Sequence, residues 1–540
     1  MQIQVRINEE GALRNQRHAF TDRFSLITEL LQNARRAGAL HICVDHAAEE
    51  RVLRVRDDGH GIEDFQKLLS FHESGWDAGT VAQEQAFGIG FTMCLYAATR
   101  VVVASRHQRV DIDTAAALRR KAFDIETTAQ PVEGTAIELY GVDIAGLAHR
   151  MEALCEGFPV DVVFNGHRLE RRCAEDHLQC MSTPIGAMHV AGRRDGKPGR
   201  DTLVFLQGIC VKRPMYCSTS DANVVHLDPR QFMARLPDRD TLIDADQQVQ
   251  KIQDQVRQSW RTILEAARAQ MSPAEFVETY FDAMTHWGHV DLLNDMDALP
   301  AALFERIVGY PVQAPYDQRH YVAPVEVVPS RCDIEAGRVT LVSLGWPRDA
   351  ENTGHWMLAR YKQWLNVKAY ALHPDHWLRP HVRYIENHEA HIEARGETAR
   401  ATLEGRWAWP LVILCQSVRI RVGDHVVDIV DEGVCRGDDI LVPVGEASGE
   451  PVRQLSDFID DHDRYREDEM NADRDALAGL IRRLRSTDPA QTLASLLAEL
   501  HLDKYPLLHG RHFEVTVGVG GQPGCTVELA QGAGDRDAER

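Results

Sequence analysis

Four short groups of residues in the first 140 positions carry side chains whose types and spacing could do chemistry together. In Glu29-Leu-Leu-Gln-Asn33 a carboxylate and an amide stand four residues apart, the spacing that stacks two side chains on one face of a helix. Such a pair can divide a hydrolysis, with Glu29 polarising a water and the Asn33 amide oxygen ligating Mg²⁺, a hard cation that takes oxygen ligands. Asp57-Asp58-Gly59-His60-Gly61-Ile62 puts a carboxylate ahead of a glycine turn. An acceptor there can take a hydrogen bond from the exocyclic amine of adenine, where guanine would present a carbonyl oxygen and be repelled. Gly59 and Gly61 let the chain turn sharply and a base approach closely. Phe87-Gly88-Ile89-Gly90-Phe91 places two glycines before an expected helix over 91–99, so that backbone N–H groups and a helix N-terminus point at phosphates. Last, Glu133-Gly134-Thr135 offers a hydroxyl at the start of a strand.

These groups need elements to hold them. Phe24, Leu26, Ile27, Leu30, Leu31 and Ala34 recur at three- and four-residue spacing, which predicts a helix with an apolar stripe and Glu29 and Asn33 on it. Val52-Leu-Arg-Val-Arg56 alternates as a strand and runs into Asp57, so the carboxylate sits where a strand ends. Further strands are expected at 41–44, 101–105 and 136–140, in a sheet carrying helices on one face. Singly, each group has an ordinary reading: a solvated helix face, an Asp-Gly turn, a glycine kink, a strand threonine. Their conjunction in this order and spacing points to one adenine-nucleotide pocket.

The same four groups resemble the signature boxes of the gyrase, chaperone, histidine-kinase and MutL superfamily (GHKL, Bergerat fold). Phe87-Gly-Ile-Gly-Phe91, with Ser74-Gly75 upstream in the region of a lid, is most similar to the HtpG-type heat-shock chaperones. The resemblance implies ATP and Mg²⁺ as ligands, Glu29 as general base, Asn33 as the Mg²⁺ ligand, Asp57 as the adenine reader with Gly59, Gly61 and Thr135 around it, and Gly88, Ile89, Gly90 and Phe91 as phosphate cradle and lid hinge. Two positions depart from the pattern: Arg36 stands where the family often has Asp, and Asp58 where it usually has Asn. Both bear more on hydrolysis than on binding.

Farther along, Val160-Asp-Val-Val-Phe164, Asn165-Gly166 and His167-Arg-Leu169 form a hairpin signal opening a second unit. Arg235-Leu-Pro-Asp-Arg239 precedes an expected long helix over 246–270. This order is similar to the middle domain of the HtpG-type chaperones, and the resemblance implies that Arg239 reaches the terminal phosphate, where a guanidinium can meet two oxygens at once. A surface pairing of Arg239 with Asp238 or Asp240 is the alternative, and Lys212 the reserve cation. Ser272-Pro-Ala-Glu275 is a capping box with proline in the first turn, predicting a helix to about Trp287.

The expected fold is α+β: a GHKL ATP-binding α/β sandwich over 1–150, a transducer-like α/β domain over 151–270, a helical connector over 271–330, a β-rich domain over 331–450, a helical region with terminal hairpin over 451–530, and a disordered tail over 531–540. Strands are expected at 339–344, 411–415, 418–422 and 426–430, and 1–5 as a strand or an exchanged arm. The 60 Lys and Arg against 81 Asp and Glu leave a net charge of −21, which argues against a large constitutive contact with nucleic-acid phosphates but allows a local basic patch. Eleven cysteines without a Cys-x-x-Cys pair suggest neither a zinc ribbon nor a disulfide framework. No signal peptide or membrane-spanning run is evident, so the chain reads as cytoplasmic. His373, His376, His381, His388 and His391, interleaved with Trp377, Arg379 and Arg383, suggest a packed or partner-binding surface rather than a metal site. Three readings are open: an ATP-driven, chaperone-like homodimeric machine whose C-terminal half meets a protein client; an ATP-sensing effector subunit of a multi-protein system, such as a defence system; and a MutL- or topoisomerase-like DNA-transacting ATPase. A histidine kinase would need a phosphoacceptor helix ahead of the pocket, where about two dozen residues stand.

Overall fold

The computed structural model describes residues 3–4, 8–16, 22–71, 73, 75–76, 79–81, 90–215, 221–235, 239–312, 320–344, 353–455, 458–459, 464–518 and 524–530. Contacts divide the chain into two compact units, 1–300 and 301–540. The boundary falls inside the stretch expected as a connector.

The first unit opens with helices α1 (Glu9–Gln16) and α2 (Ser25–Arg36), then strands β1 (His41–Ala47) and β2 (Val52–Asp57). A short helix, α3 (Cys94–Ala97), leads into β3 (Arg100–Asp113), α4 (Thr114–Leu118), β4 (Ile125–Tyr140), α5 (Leu147–Cys155), β5 (Asp161–Phe164) and β6 (His167–Arg168). The six strands form one mixed sheet in the order β3-β4-β2-β1-β5-β6, with β1 and β5 parallel. The expected hairpin at Asn165-Gly166 therefore forms, but as the edge of this first sheet beyond residue 150, because Val162 and Phe164 bury their side chains in the same core as Ile42 and Val44.

Register explains why the sheet has one covered face. Val44, Val55, Ile137 and Val103 lie in one row across β1, β2, β4 and β3, and all four are buried. Leu26, Ile27, Leu30, Leu31 and Ala34 of α2 join the same core. Alternate residues such as Cys43, Asp45 and Arg56 are exposed on the opposite face, the two-sided pattern of a sheet packed on one side only.

Strands β7 (Met181–Thr183), β8 (Gly186–His189), β9 (Thr202–Leu206), β10 (Ile209–Lys212) and β11 (Asn223–Leu227) make a second sheet, ordered β10-β9-β11-β8-β7. Helices α6 (Ala245–Gln270) and α7 (Pro273–Trp287) follow, the latter capped by the Ser272 hydroxyl, which accepts from the Glu275 N–H at 3.3 Å.

The second unit holds two five-stranded sheets. The stretches expected as two strands at 411–415 and 418–422 form one, Leu411–Val422, pairing along its length with Ala390–Thr402. Val412 and Leu414 pack toward the helix Glu467–Arg485, while Ile413 and Cys415 face the core containing Trp356 and Met357 of the helix Thr353–Tyr361. Burial on both faces is why the apolar run is continuous there. Ala390–Thr402 gave no strand signal because it is an exposed edge carrying Glu393, Arg395, Glu397 and Arg400, as solvent-facing edges commonly do. A terminal hairpin pairs Phe513–Val517 with Cys525–Leu529. No described helix is long and apolar enough to cross a membrane.

Candidate functional site

The end of β2 lies beside the last turn of α2, and the space between them opens into a pocket of about 320 Å³. Asp57, Thr135 and Ser105 share one row of the sheet, on strands β2, β4 and β3. That row lies two residues along from the buried valine and isoleucine row, so Asp57 points to the covered, helix-bearing face. Burial pushes its carboxyl above the usual aspartate range, the charge of Asp58 adds to the rise, and the Gly59 N–H donating to Asp57 Oδ1 at 2.9 Å opposes it without cancelling it. Asp58 does different work. Its Oδ1 accepts from the backbone of Leu40 (2.7 Å) and His41 (2.9 Å), tying the turn after α2 to the end of β2. Burial acts to raise its carboxyl, but those two N–H groups outweigh it and hold Asp58 below the usual range.

Glu29, Asn33, Asp57, Gly61, Gly90, Phe91, Thr135 and Arg239 all line this one pocket. Gly59 stands just behind it, where a side chain would meet the Cβ of Ala37 at 2.7 Å. Gly88 and Ile89 lie outside the described residues, as do Ser74 and the sequence Leu236-Pro-Asp238. The strand or exchanged arm expected over 1–5 falls mostly outside them as well. Lys212, on β10, is not among the lining residues. Gly90 passes so close to the Glu29 carboxylate that any side chain at 90 would collide with Glu29 Oε2.

The two groups expected to do hydrolysis are each engaged by an arginine. Arg239 donates from Nε to Glu29 Oε1 at 2.5 Å, and both residues are buried. Arg36 donates from Nη1 to the Asn33 amide oxygen at 3.1 Å. Arg239 stands beside the Ala234–Leu242 bridge and the Arg235 N–H that donates to Thr241 O at 2.8 Å. Its own backbone is left-handed, φ +55°, a conformation costing a non-glycine residue roughly 1–2 kcal/mol. The turn between β9 and β10 braces the pair: Gln32 of α2 donates to Gln207 O at 2.8 Å, and Arg239 Nη1 donates to Gln207 Oε1 at 3.3 Å.

The Mg²⁺ expected at Asn33 meets a poor fit in this arrangement. Its protein ligand would be the Asn33 oxygen, which already faces a guanidinium, and the neighbouring Glu29 carboxylate is neutralised by a second one. A divalent cation prefers unshared, hard oxygens and is repelled by a fixed positive charge beside its ligand.

Several contributors escaped the sequence reading. Ser105 accepts from the Ile62 N–H at 2.9 Å and donates to Gly134 O at 2.6 Å, clamping the glycine turn to the strand behind it; a serine in a strand gives no signal of this. His60 and Trp76 meet edge to face at 5.9 Å on the pocket wall. His60 Nδ1 lies 2.8 Å from Gly61 O, so the proton is on Nδ1. Lys67 also lines the pocket. Gln207-Gly208 could have been found, since a two-residue turn between apolar strands is a hairpin signal. Among the clustered histidines, the His388 carbonyl faces His355 Nε2 at 2.7 Å and His376 Nδ1 accepts from Leu378 N at 3.1 Å.

Residues 22–141 match the family model described as "Histidine kinase-, DNA gyrase B-, and HSP90-like ATPase". The mixed sheet with helices on one face is consistent with that superfamily's fold in the N-terminal region; members of the superfamily generally bind ATP with Mg²⁺ and commonly dimerise. Among solved structures, the chain is similar to the ATPase region of Saccharomyces cerevisiae topoisomerase II, at 13% identity over 39% of this chain and 75% of that one. At a TM-score of 0.28, that likeness carries no weight for function. No curated protein matches the chain.

Proposed function

We propose that this protein binds ATP in the pocket between α2 and the β2 end and hydrolyses it as a conformational machine, with Arg239 as the gate. The observation that carries the proposal is the buried Arg239–Glu29 pair, 2.5 Å apart inside the pocket that also holds Asp57. While Arg239 holds it, the Glu29 Oε1 lone pair is engaged and not presented to a water. The γ-phosphate of ATP offers that guanidinium more charge and two oxygens to grip at once. Once Arg239 turns to the phosphate, Glu29 is free to take a proton from a water. The hydroxide attacks the γ-phosphorus, the bond to the bridging oxygen breaks, the proton held by Glu29 passes to the departing phosphate, and ADP and phosphate leave. Arg239 then returns to Glu29. ADP lacks the group that draws Arg239 away, so only ATP shifts the equilibrium of Arg239 and the Gln207 turn it contacts; a ligand moves a conformation only by its differential contacts.

Within this proposal Asp57 selects adenine, Thr135 and Gly61 form the floor beneath the base, and Gly90 and Phe91 lie at the phosphate side. The reading extends to a homodimeric, HtpG-like machine acting on a protein partner through residues beyond 300. It is supported over a DNA-transacting role by the net charge of −21, and a salt-titrated DNA-binding assay separates the two. The central test is Glu29→Gln, which keeps a partner for Arg239 but removes the base. ATP should still bind within about tenfold of wild type, roughly 1.4 kcal/mol, while turnover falls by about 10²–10⁴-fold. Unchanged turnover in a clean preparation would remove Glu29 from the chemistry.

A further inference from the structure

The geometry points to Arg36 as the group that neutralises the nucleotide's phosphates in place of a divalent cation, so that nucleotide binding here does not depend on Mg²⁺. This rests on the nucleotide pocket proposed above. Arg36 lies in the last turn of α2, three residues from Asn33 and on the pocket wall with it. Its guanidinium holds the Asn33 oxygen at 3.1 Å, the atom a bound cation would need.

The charge of the site makes the role necessary. The pocket walls bear Glu29, Asp57, Glu63, Asp64 and Glu73 among the described lining residues, an acidic surround into which a polyphosphate must be brought. Arg239 is spent on Glu29 until the γ-phosphate arrives, and Lys67 stands on an exposed turn of the rim. Among the described lining residues, Arg36 is a cation held at the pocket wall by the Asn33 side chain of its own helix. The negative end of the α2 dipole favours a positive charge at this turn. A planar guanidinium also meets phosphate oxygens as a fork, fulfilling the bridging function of a metal with fixed geometry and no ligand exchange.

The test measures affinity rather than turnover, with ADP and a non-hydrolysable ATP analogue titrated calorimetrically into the full chain in EDTA and in excess Mg²⁺. Wild-type affinities in the two buffers should agree within a few-fold. Arg36→Ala should lose about 10–100-fold in EDTA, the range for one charge-assisted hydrogen bond, and regain most of it when Mg²⁺ is added to the vacated Asn33 oxygen. Arg36→Gln, which can still donate to Asn33 but carries no charge, should lose affinity in EDTA as the alanine variant does, which guards against loss of fold in the latter, and should regain less of it with Mg²⁺ because the Asn33 oxygen stays engaged. Wild type that binds only with Mg²⁺ would overturn the inference and leave the nucleotide pocket standing. Weakening of both variants by the same factor in the two buffers would also overturn it, reducing Arg36 to a support for Asn33. Absence of binding in either buffer would remove the nucleotide pocket itself, and this inference with it.

Discussion

Asp57 meets two opposed demands. It must be an acceptor for a base, which favours the carboxylate, yet the row it shares with Thr135 and Ser105 is on the covered face of the sheet, which penalises that carboxylate and raises its pKa. A group whose folded pKa is raised contributes its stability in the protonated form. That contribution is complete below the unfolded value and is lost as pH rises through the folded one. At about pH 8 the charged Asp57 is therefore a cost to the ligand-free fold, one that a neutral side chain avoids. Asp57→Asn should melt above wild type at that pH, with the margin closing as the pH falls through the raised Asp57 value. The same variant should lose ATP binding: the Gly59 N–H would hold the amide oxygen and leave the NH₂ facing the adenine amine, donor against donor. Thermal melts across pH, paired with calorimetry, test both halves. A margin that does not vary with pH would mean that Asp57 is solvated. The Glu29–Arg239 pair shows the related principle that buried ion pairs hold conformation more than they add stability, and the left-handed backbone at Arg239 is strain of the kind found where structure serves a site.

At the scale of elements, the glycine turn and the strand behind it act as one unit. Gly134 has φ +62°, and a side chain there would strike the Asp57 carbonyl directly. Gly134→Ala must therefore push β4 away from β2 at the pocket, and a loss of about 2–4 kcal/mol is expected in urea denaturation, the size seen for strained backbone and core overpacking. A loss under about 1 kcal/mol would mean the strands part there without resistance. These elements were legible in the sequence to different depths. The stripe on α2 and the alternation in β2 were plain because one face of each is buried, and burial imposes period. The extension of the first sheet past residue 150 was not legible, because parallel pairing of β5 with β1 joins residues more than a hundred positions apart, which no local pattern records. Ala390–Thr402 was silent because an exposed edge strand needs no apolar alternation. The sequence placed Glu29, Asn33, Asp57, Gly61, Gly90, Phe91, Thr135 and Arg239 together, and these line one pocket, while Gly59 stands beside it. What could not be read was which side chains grip one another: Arg36 was visible only as a departure from a pattern, and its hold on Asn33 depends on helix geometry and side-chain reach.

At the scale of the whole molecule, stability is concentrated well short of the last residues. In the second unit, Met470, Leu477 and Ile481 of the helix Glu467–Arg485 are buried against Val412, Leu414, Ile440 and Val442 of the sheet. Among the described residues, none after Ile481 is buried. The helix Pro489–Ala498 exposes Leu496 at 44%, and the terminal hairpin leaves Val517, Val527 and Leu529 at 66%, 57% and 57%. Glu514 stands directly opposite Glu528 across that hairpin, an unfavourable pairing of like charges, and a two-stranded hairpin without a covering layer is marginal in water. One tie from this stretch back to the helix is the Arg483–Glu499 ion pair at 2.5 Å, with Glu499 61% exposed; such surface pairs are worth roughly 0–1 kcal/mol. A chain ending at Thr487 should therefore fold, bind nucleotide as the full chain does, and melt within about 2 °C of it. Leu477→Ala, by contrast, opens a cavity in a closed core and should cost about 2–5 kcal/mol. If the truncation lowers the melting temperature as far as Leu477→Ala does, the exposed leucines and valines after residue 488 are covered in solution. Concentration-dependent melting of the full chain, absent from the truncated one, would then identify a second copy as the cover.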